Sequence, residues 1–274
     1  MSAGEVEATL AAVRRVDLSF VPDGRWACVR ELCGIDEERV DGTDTLQALR
    51  LLDGLLVAKP GAAVAPGQAA TLTVPERDLV MAGVYRGAFG DRVNGTATCR
   101  RCDERFDVDF DLGAMIESVS IERRAAPPRP EDGVFAVSPG CRFRLPTGAD
   151  ECAVMGLPPA RAEQELLRRC LVAGDCEQHR AAVLDAMERV GRGLDPALTA
   201  TCPECATAQE IPFDIQSHLL GALRGRRDAL AAQVHALALS YRWGLREILS
   251  LSTRRREQLV GLLDHAAAPR RMRA

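Results

Sequence analysis

Lysine is almost missing from this chain: Lys59 is the only one, and arginine carries the rest of the 35 basic residues. Aromatic residues make up only 4% of 274 positions, which disfavours an all-β sandwich with a ring-filled core. Histidine occurs four times, at His179, His218, His235 and His265, and none has a cysteine, serine or carboxylate at a recognised catalytic or metal spacing. There is no G-x-G-x-x-G, no P-loop, no H-E-x-x-H and no G-x-S-x-G, so a nucleotide-binding loop, a zincin helix and a nucleophile elbow are not expected. No apolar run of about 18 residues exists to cross a bilayer. The first ten residues carry Glu5 and Glu7 and lack the apolar core of a signal peptide, so a cytoplasmic, reducing location is expected, with thiols free or metal-bound. A net charge of −4, from 35 basic and 39 acidic residues, provides no broad positive field for nucleic acid or anionic lipid.

What is present is a hydrophobic fraction of 47%, mostly Leu, Val and Ala, enough for a packed core with many helices. Alternation through Val16, Leu18 and Phe20, then Pro22-Asp23-Gly24, predicts a β-hairpin over 16–31. A helix is expected over 43–57, capped by Thr43 or Asp44, with Leu46, Leu51, Leu52 and Leu55 inward. Residues 59–67 read as a loop and 75–89 as a second helix with Pro75 in its first turn. Strand-like residues surround Cys99 and Cys102, and a short helix is expected over 111–117. Pro127, Pro128 and Pro130 mark a linker over 125–133. Beyond it the order recurs: a strand over 142–146, a turn at Pro146-Thr147-Gly148, helices over 160–172 and 179–190, a break at Asp195-Pro196, and a second cysteine pair. The last third reads as one long helix or two stacked pieces over 215–241, with Leu219, Leu223, Leu230, Val234, Leu237 and Tyr241 as its stripe. A turn at Trp243-Gly244, a short helix over 245–251 and a final helix capped by Ser252 follow. The expected fold class is α+β, with two β-hairpin, zinc-ribbon-like units, each with helices, and a helical C-terminal part. The divisions fall at 1–124, 134–215 and 216–274.

Thr96-Ala97-Thr98-Cys99-x-x-Cys102 recurs as Thr199-Ala200-Thr201-Cys202-x-x-Cys205, and Phe110-Asp111-Leu112 as Phe213-Asp214-Ile215. This repetition reads as an internal duplication. Two cysteines separated by two residues can point both thiolates at one ion, but a structural zinc site needs four ligands. Three readings stand: one zinc shared by Cys99, Cys102, Cys202 and Cys205; metal-free relic knuckles; or separate sites completed by a distant Cys or His. Redox chemistry would want the first cysteine at a helix N-terminus, and both motifs sit between strand-like segments. The residue after the second cysteine of such a knuckle often takes positive φ; here it is Asp103 and Ala206, and Asp tolerates that better than Ala. Cys28, Cys33, Cys141, Cys152, Cys170 and Cys176 read as small apolar core groups, and His235 as a core-edge hydrogen bonder. Arg254-Arg255-Arg256 and Arg270-Arg271 read as a solvated helix face and a tail.

Three segments together resemble a known family. They are Arg30-Glu31-Leu32-Cys33-Gly34-Ile35-Asp36-Glu37-Glu38; Cys202-Pro203-Glu204-Cys205 followed by Pro212-Phe213-Asp214-Ile215; and Val234-His235-x-Leu237-Ala238-x-x-Tyr241-x-Trp243 with Glu247-Ile248-Leu249-x-Leu251-Ser252-x-x-Arg255-Arg256. In this order they resemble baseplate hub components or assembly chaperones of T-even-like contractile phage tails and phage-derived contractile injection systems. The resemblance implies a non-enzymatic structural or assembly protein in the host cytoplasm or the tail particle. Its partners would be other baseplate or tail proteins, with neither membrane nor nucleic acid among them. The alternative is a zinc-ribbon nucleic-acid-binding regulator. The helices over 234–263 are expected to present a partner-binding surface, with Trp243, Tyr241, Arg255 and Arg256 as its anchors.

Overall fold

The computed structural model describes residues 13–20, 23–123, 129–130, 132–194 and 198–271. Pro22, most of the proline linker, the Asp195-Pro196 break and the first ten residues lie outside them, as do the side chains of Cys176, Arg270 and Arg271.

The fold is α+β, built from small antiparallel sheets wrapped in helices. The first half runs β1 (Val13–Asp17), β2 (Trp26–Arg30), α1 (Gly34–Glu38), α2 (Thr45–Leu55), a 3-10 turn (Ala69–Thr71), α3 (Val74–Phe89), β3 (Arg92–Thr98), β4 (Arg105–Asp111) and α4 (Leu112–Arg123). The second runs β5 (Val134–Ser138), β6 (Cys141–Arg144), α5 (Gly148–Val154), α6 (Pro159–Cys170), β7 (Leu171–Ala173), α7 (Cys176–Gly191), β8 (Leu198–Thr201), β9 (Ala208–Ile211) and α8 (Ile215–Gly225). Apart from the 3-10 turn, the order of elements repeats from one half to the other. Even β7, which adds to β6, has a counterpart in Leu56, which follows α2 and bridges Val29 of β2. A C-terminal unit of α9 (Arg227–Tyr241), α10 (Leu245–Ser250) and α11 (Thr253–Arg271) completes the chain.

Local chemistry sets the helix starts. Asp44 accepts the Gln47 amide to cap α2, and Asp214 accepts those of Gln216 and Ser217 to cap α8. Thr73 and Glu76 form a capping box ahead of Pro75 on α3. Helix α3 is buried nearly all round, from Glu76 through Tyr85, and so forms the centre of the main core. Leu52 and Leu55 of α2, Leu112 and Met115 of α4, and Ile215, Leu219, Leu220 and Leu223 of α8 close over it. Each such side chain contributes about 1.5–3 kcal/mol by leaving water. Helix α8 therefore belongs to the core of the first half, although it follows the second knuckle.

Several expectations need correction. Leu46 is exposed, and Ala48 and Leu49 face inward instead: at about 100° per residue they share the buried side with Leu51, Leu52 and Leu55, and Leu46 falls outside it. The helix expected to reach residue 172 ends at Cys170, and Leu171 begins strand β7. The turn at Thr147 opens the unexpected helix α5, and α4 runs to Arg123 rather than 117. Of the two readings of the 215–241 segment, the structure has the second: two helices that break at Arg226. Tyr241 and His235 lie on the exposed side of α9, outside the stripe. Arg256 lies inside the protein, fully buried against Glu37, so it cannot belong to a solvated face or a partner surface.

Two equivalent clasps hold these parts together. Arg30 forks onto Asp36 at 2.7 and 2.8 Å, and Arg144 forks onto Asp150 at 2.5 and 3.0 Å. Each carboxylate also accepts the amide of its helix cap, Cys33 at 2.9 Å and Thr147 at 3.0 Å. Gly34 then donates to Leu251 O at 3.3 Å, and Gly148 to Leu72 O at 3.0 Å. Glycine is required at both, since a Cβ at Gly34 would lie 2.9 Å from Leu249 Cδ2 and one at Gly148 2.8 Å from Leu49 Cδ2. Glu37 then pairs with Arg256, and Glu151 with Arg77. One clasp docks the C-terminal unit on the first half; the other docks α5 of the second half on α3 of the first.

Candidate metal centre

Hairpins β3–β4 and β8–β9 carry the two cysteine pairs in their turns. The backbone geometry is the same in both. Cys99 N donates to Glu104 O at 2.9 Å and Asp103 N to Cys99 O at 3.0 Å; Cys202 N donates to Thr207 O and Ala206 N to Cys202 O, both at 3.0 Å. Asp103 and Ala206 sit at φ of 58° and 56°, the left-handed conformation expected after the second cysteine. Alternate residues of both hairpins turn inward, so Ala97, Phe106 and Val108 meet Ala200 and Ile211 around the cysteines.

The hairpins face one another, and the four sulfurs converge. Cys99 Sγ lies 3.6 Å from Cys205 Sγ, Cys102 Sγ lies 3.7 Å from Cys202 Sγ, and all four are within 4.8 Å of one another. Four sulfurs about 2.3 Å from a central zinc would stand about 3.8 Å apart along the edges of a tetrahedron. The donor set and its spacing fit one metal ion held by cysteines from both halves. Cys99 and Cys202 are buried, and Cys102 and Cys205 are half-buried at the mouth.

Surrounding donors favour thiolates. Arg101 N points to Cys99 Sγ at 3.4 Å, and Thr207 Oγ1 lies 3.3 Å from Cys205 Sγ. The Thr207 hydroxyl and amide bring the Cys205 thiol down to about 6. Cys102 is pushed up to about 12: the Glu104 amide acts in the opposite direction and is outweighed by desolvation and by hydrogen sharing with Cys205, Cys99 and Cys202. Four sulfurs this close cannot all ionise without a cation among them. Gln209 ties the knuckles together outside the sulfurs, accepting from Arg100 N at 2.9 Å and donating to Thr98 O at 3.2 Å.

The site cysteines read from the sequence are thus brought together, across 100 positions of chain. No histidine joins them among the described residues. Of the anticipated partner-binding residues, Trp243, Tyr241 and Arg255 are exposed and Arg256 is not. Of the other cysteines, Cys28, Cys141 and Cys170 are buried, and Cys33 and Cys152 are half-buried. The clasps went unread in the sequence, although Arg-x-x-x-Gly-x-Asp-Glu occurs at 30–37 and again at 144–151. No helix among the described residues is long and apolar enough to cross a membrane. No family model, curated protein or solved structure matches the chain.

Proposed function

We propose that this chain is a non-enzymatic structural or assembly protein of a phage-like contractile-tail baseplate, its two halves stapled by a single zinc ion on Cys99, Cys102, Cys202 and Cys205. The observation that carries the non-catalytic reading is the closure of the site. Four thiolates around one zinc would complete its tetrahedron and leave no position for water or substrate, which is how structural rather than catalytic zinc is held. The baseplate reading rests on the resemblance of the three segments alone; the first and third of them also lie together in space. Glu37 of the first pairs with Arg256 of the third, and Cys33 bridges Ser252, so residues more than 200 positions apart form one structural unit.

The test has two parts. Protein purified without chelator should contain about one zinc per chain by elemental analysis, and Cys99→Ser or Cys202→Ser should release it and destabilise both halves together. Co-expression with sheath, tube and spike proteins of a contractile tail should then give co-elution with at least one of them. Metal-free protein would reject the staple. Zinc-loaded protein that ignores every tail component but shifts duplex DNA in a salt-dependent way would replace this reading with a zinc-ribbon regulator.

A further inference from the structure

The C-terminal unit has a small core of its own, in which Leu237, Ile248 and Leu259 are buried. Its largest side chains are elsewhere. At the corner between α9 and α10, Arg242 takes φ of 56°, which ends α9 and turns the chain sharply. Tyr241 and Trp243 then stack on each other, ring centroids 4.9 Å apart and planes 23° apart. The pair reaches the surface: both are 36% exposed, and Leu245, two positions on in the chain, is 56% exposed. A protein with two tryptophans in 274 residues thus spends one of them on a surface corner. Clustered exposed apolar residues of this kind mark interaction sites more often than scattered single ones do.

The charges at the corner indicate what fits there. Most arginines near the core of this protein are paired: Arg30 with Asp36, Arg77 with Glu151, Arg144 with Asp150, Arg256 with Glu37. Arg242 and Arg246, which flank the stacked rings, have no carboxylate partner among the described residues. The nearest acid in sequence, Glu247, is engaged by the Gly244 amide at 2.7 Å. Two unpaired guanidinium groups around a Tyr–Trp–Leu patch complement a segment carrying both apolar side chains and carboxylates, and Trp, Tyr and Arg are the residue types that dominate interface energetics.

We propose that the corner formed by Tyr241, Trp243 and Leu245, with Arg242 and Arg246, docks a short acidic, apolar segment of a partner protein. This rests on the reading of the chain as an assembly protein and names the chemistry of its partner. The patch binds through ring burial and is tuned by the arginines, so affinity should fall as salt rises.

The probe is a random 12-residue peptide library selected on the full-length, metal-loaded protein. Selected peptides should combine Asp or Glu with Leu, Ile, Phe or Trp, and their affinity should fall at least tenfold on Trp243→Ala. Trp243 is 36% exposed and stacks on Tyr241, so that variant should lose some stability but stay folded, which its melting curve checks before the peptides are compared. Arg246→Glu, on an exposed helix position, provides a second variant that leaves the rings intact: it should reject the same peptides and select basic ones. No enrichment, peptides without acidic bias, or peptides that bind Trp243→Ala equally well would overturn the proposal. Sedimentation showing that the chain alone forms a dimer dissolved by Trp243→Ala would overturn the occupant in favour of a second copy. None of these outcomes bears on zinc content or tail co-elution, so the two readings fail independently.

Discussion

Replacing Arg256 with Met tests whether the clasps hold the molecule together. Arg256 is fully buried and Glu37 is 3% exposed, so the variant strands a carboxylate in a site water does not reach. It also removes the donor to Leu251 O at 2.7 Å and to Gln233 Oε1 at 3.2 Å, leaving further acceptors unpaired. Breaking a buried ion pair from one side costs about 3–5 kcal/mol. The twin clasp supplies the control. Arg77 is equally buried, but its partner Glu151 keeps 25% of its side chain in solvent, so Arg77→Met leaves a charge that water can still reach. That variant should cost about 1–3 kcal/mol. The double variant Arg256→Met/Glu37→Leu should recover part of the single-variant loss, since it strands no charge, although the buried Thr253 hydroxyl then loses its acceptor Glu37. Urea denaturation gives the totals, and hydrogen exchange locates them: the Arg256 variant should lose protection first across α9–α11, which this clasp docks. An Arg256→Met protein no less stable than Arg77→Met, with α9–α11 still protected, would refute the assignment of the clasp as the dock.

Two further outcomes follow from the site and its surroundings. Ala206 holds the left-handed conformation that favours glycine, so Ala206→Gly should be neutral or stabilising by up to about 1 kcal/mol; a loss of stability would mean that the knuckle is not strained there. Asp150 has its folded pKa lowered: desolvation by burial pushes upward but is outweighed by the hydrogen bonds from Arg144 and from the Thr147 amide and hydroxyl. A depressed carboxylate stabilises the fold above its unfolded pKa of about 3.9, and that contribution is lost as pH falls through the folded value. Asp150→Asn should therefore be much less stable than wild type at pH 7, and the gap should narrow below about pH 4; a gap constant down to pH 3 would show that the charge contributes nothing.

What was legible in the sequence was what short-range chemistry dictates. Asp44 caps α2, Pro75 sits in the first turn of α3, and the helix expected over 179–190 is α7, because caps, fixed φ and 3.6-residue periodicity act within one or two turns. The cysteine pairs were legible as chemistry, and one shared site was among the readings that spacing left open, but spacing alone could not select it. Spacing along the chain places two thiols on one knuckle, whereas the meeting of the knuckles depends on two hairpins presenting their small residues, Ala97 and Ala200, to each other. Helix α5 was misread as a turn because Pro146-Thr147-Gly148 is turn chemistry taken alone. There Gly148 serves a close approach to Leu49, on an element 99 positions away.

Arg256 was misread for the same reason, and its error is the most instructive. Three consecutive arginines at 254–256 look like one solvated face, yet on a helix they are spread about 100° apart, and the third points into the protein. Only the complementary acid makes its burial tolerable, and that acid, Glu37, lies 219 positions earlier. The sequence does hold a trace of the arrangement. Arg-x-x-x-Gly-x-Asp-Glu appears in both halves, and each terminal Glu meets an arginine four positions after a Ser or Thr, Arg256 after Ser252 and Arg77 after Thr73. The duplication that the cysteine knuckles made visible therefore extends to the buried ion pairs. In both clasps the acid comes from one part of the chain and the arginine from another, so the four-cysteine cluster and the clasps act in the same direction, joining separate segments of the chain into one fold.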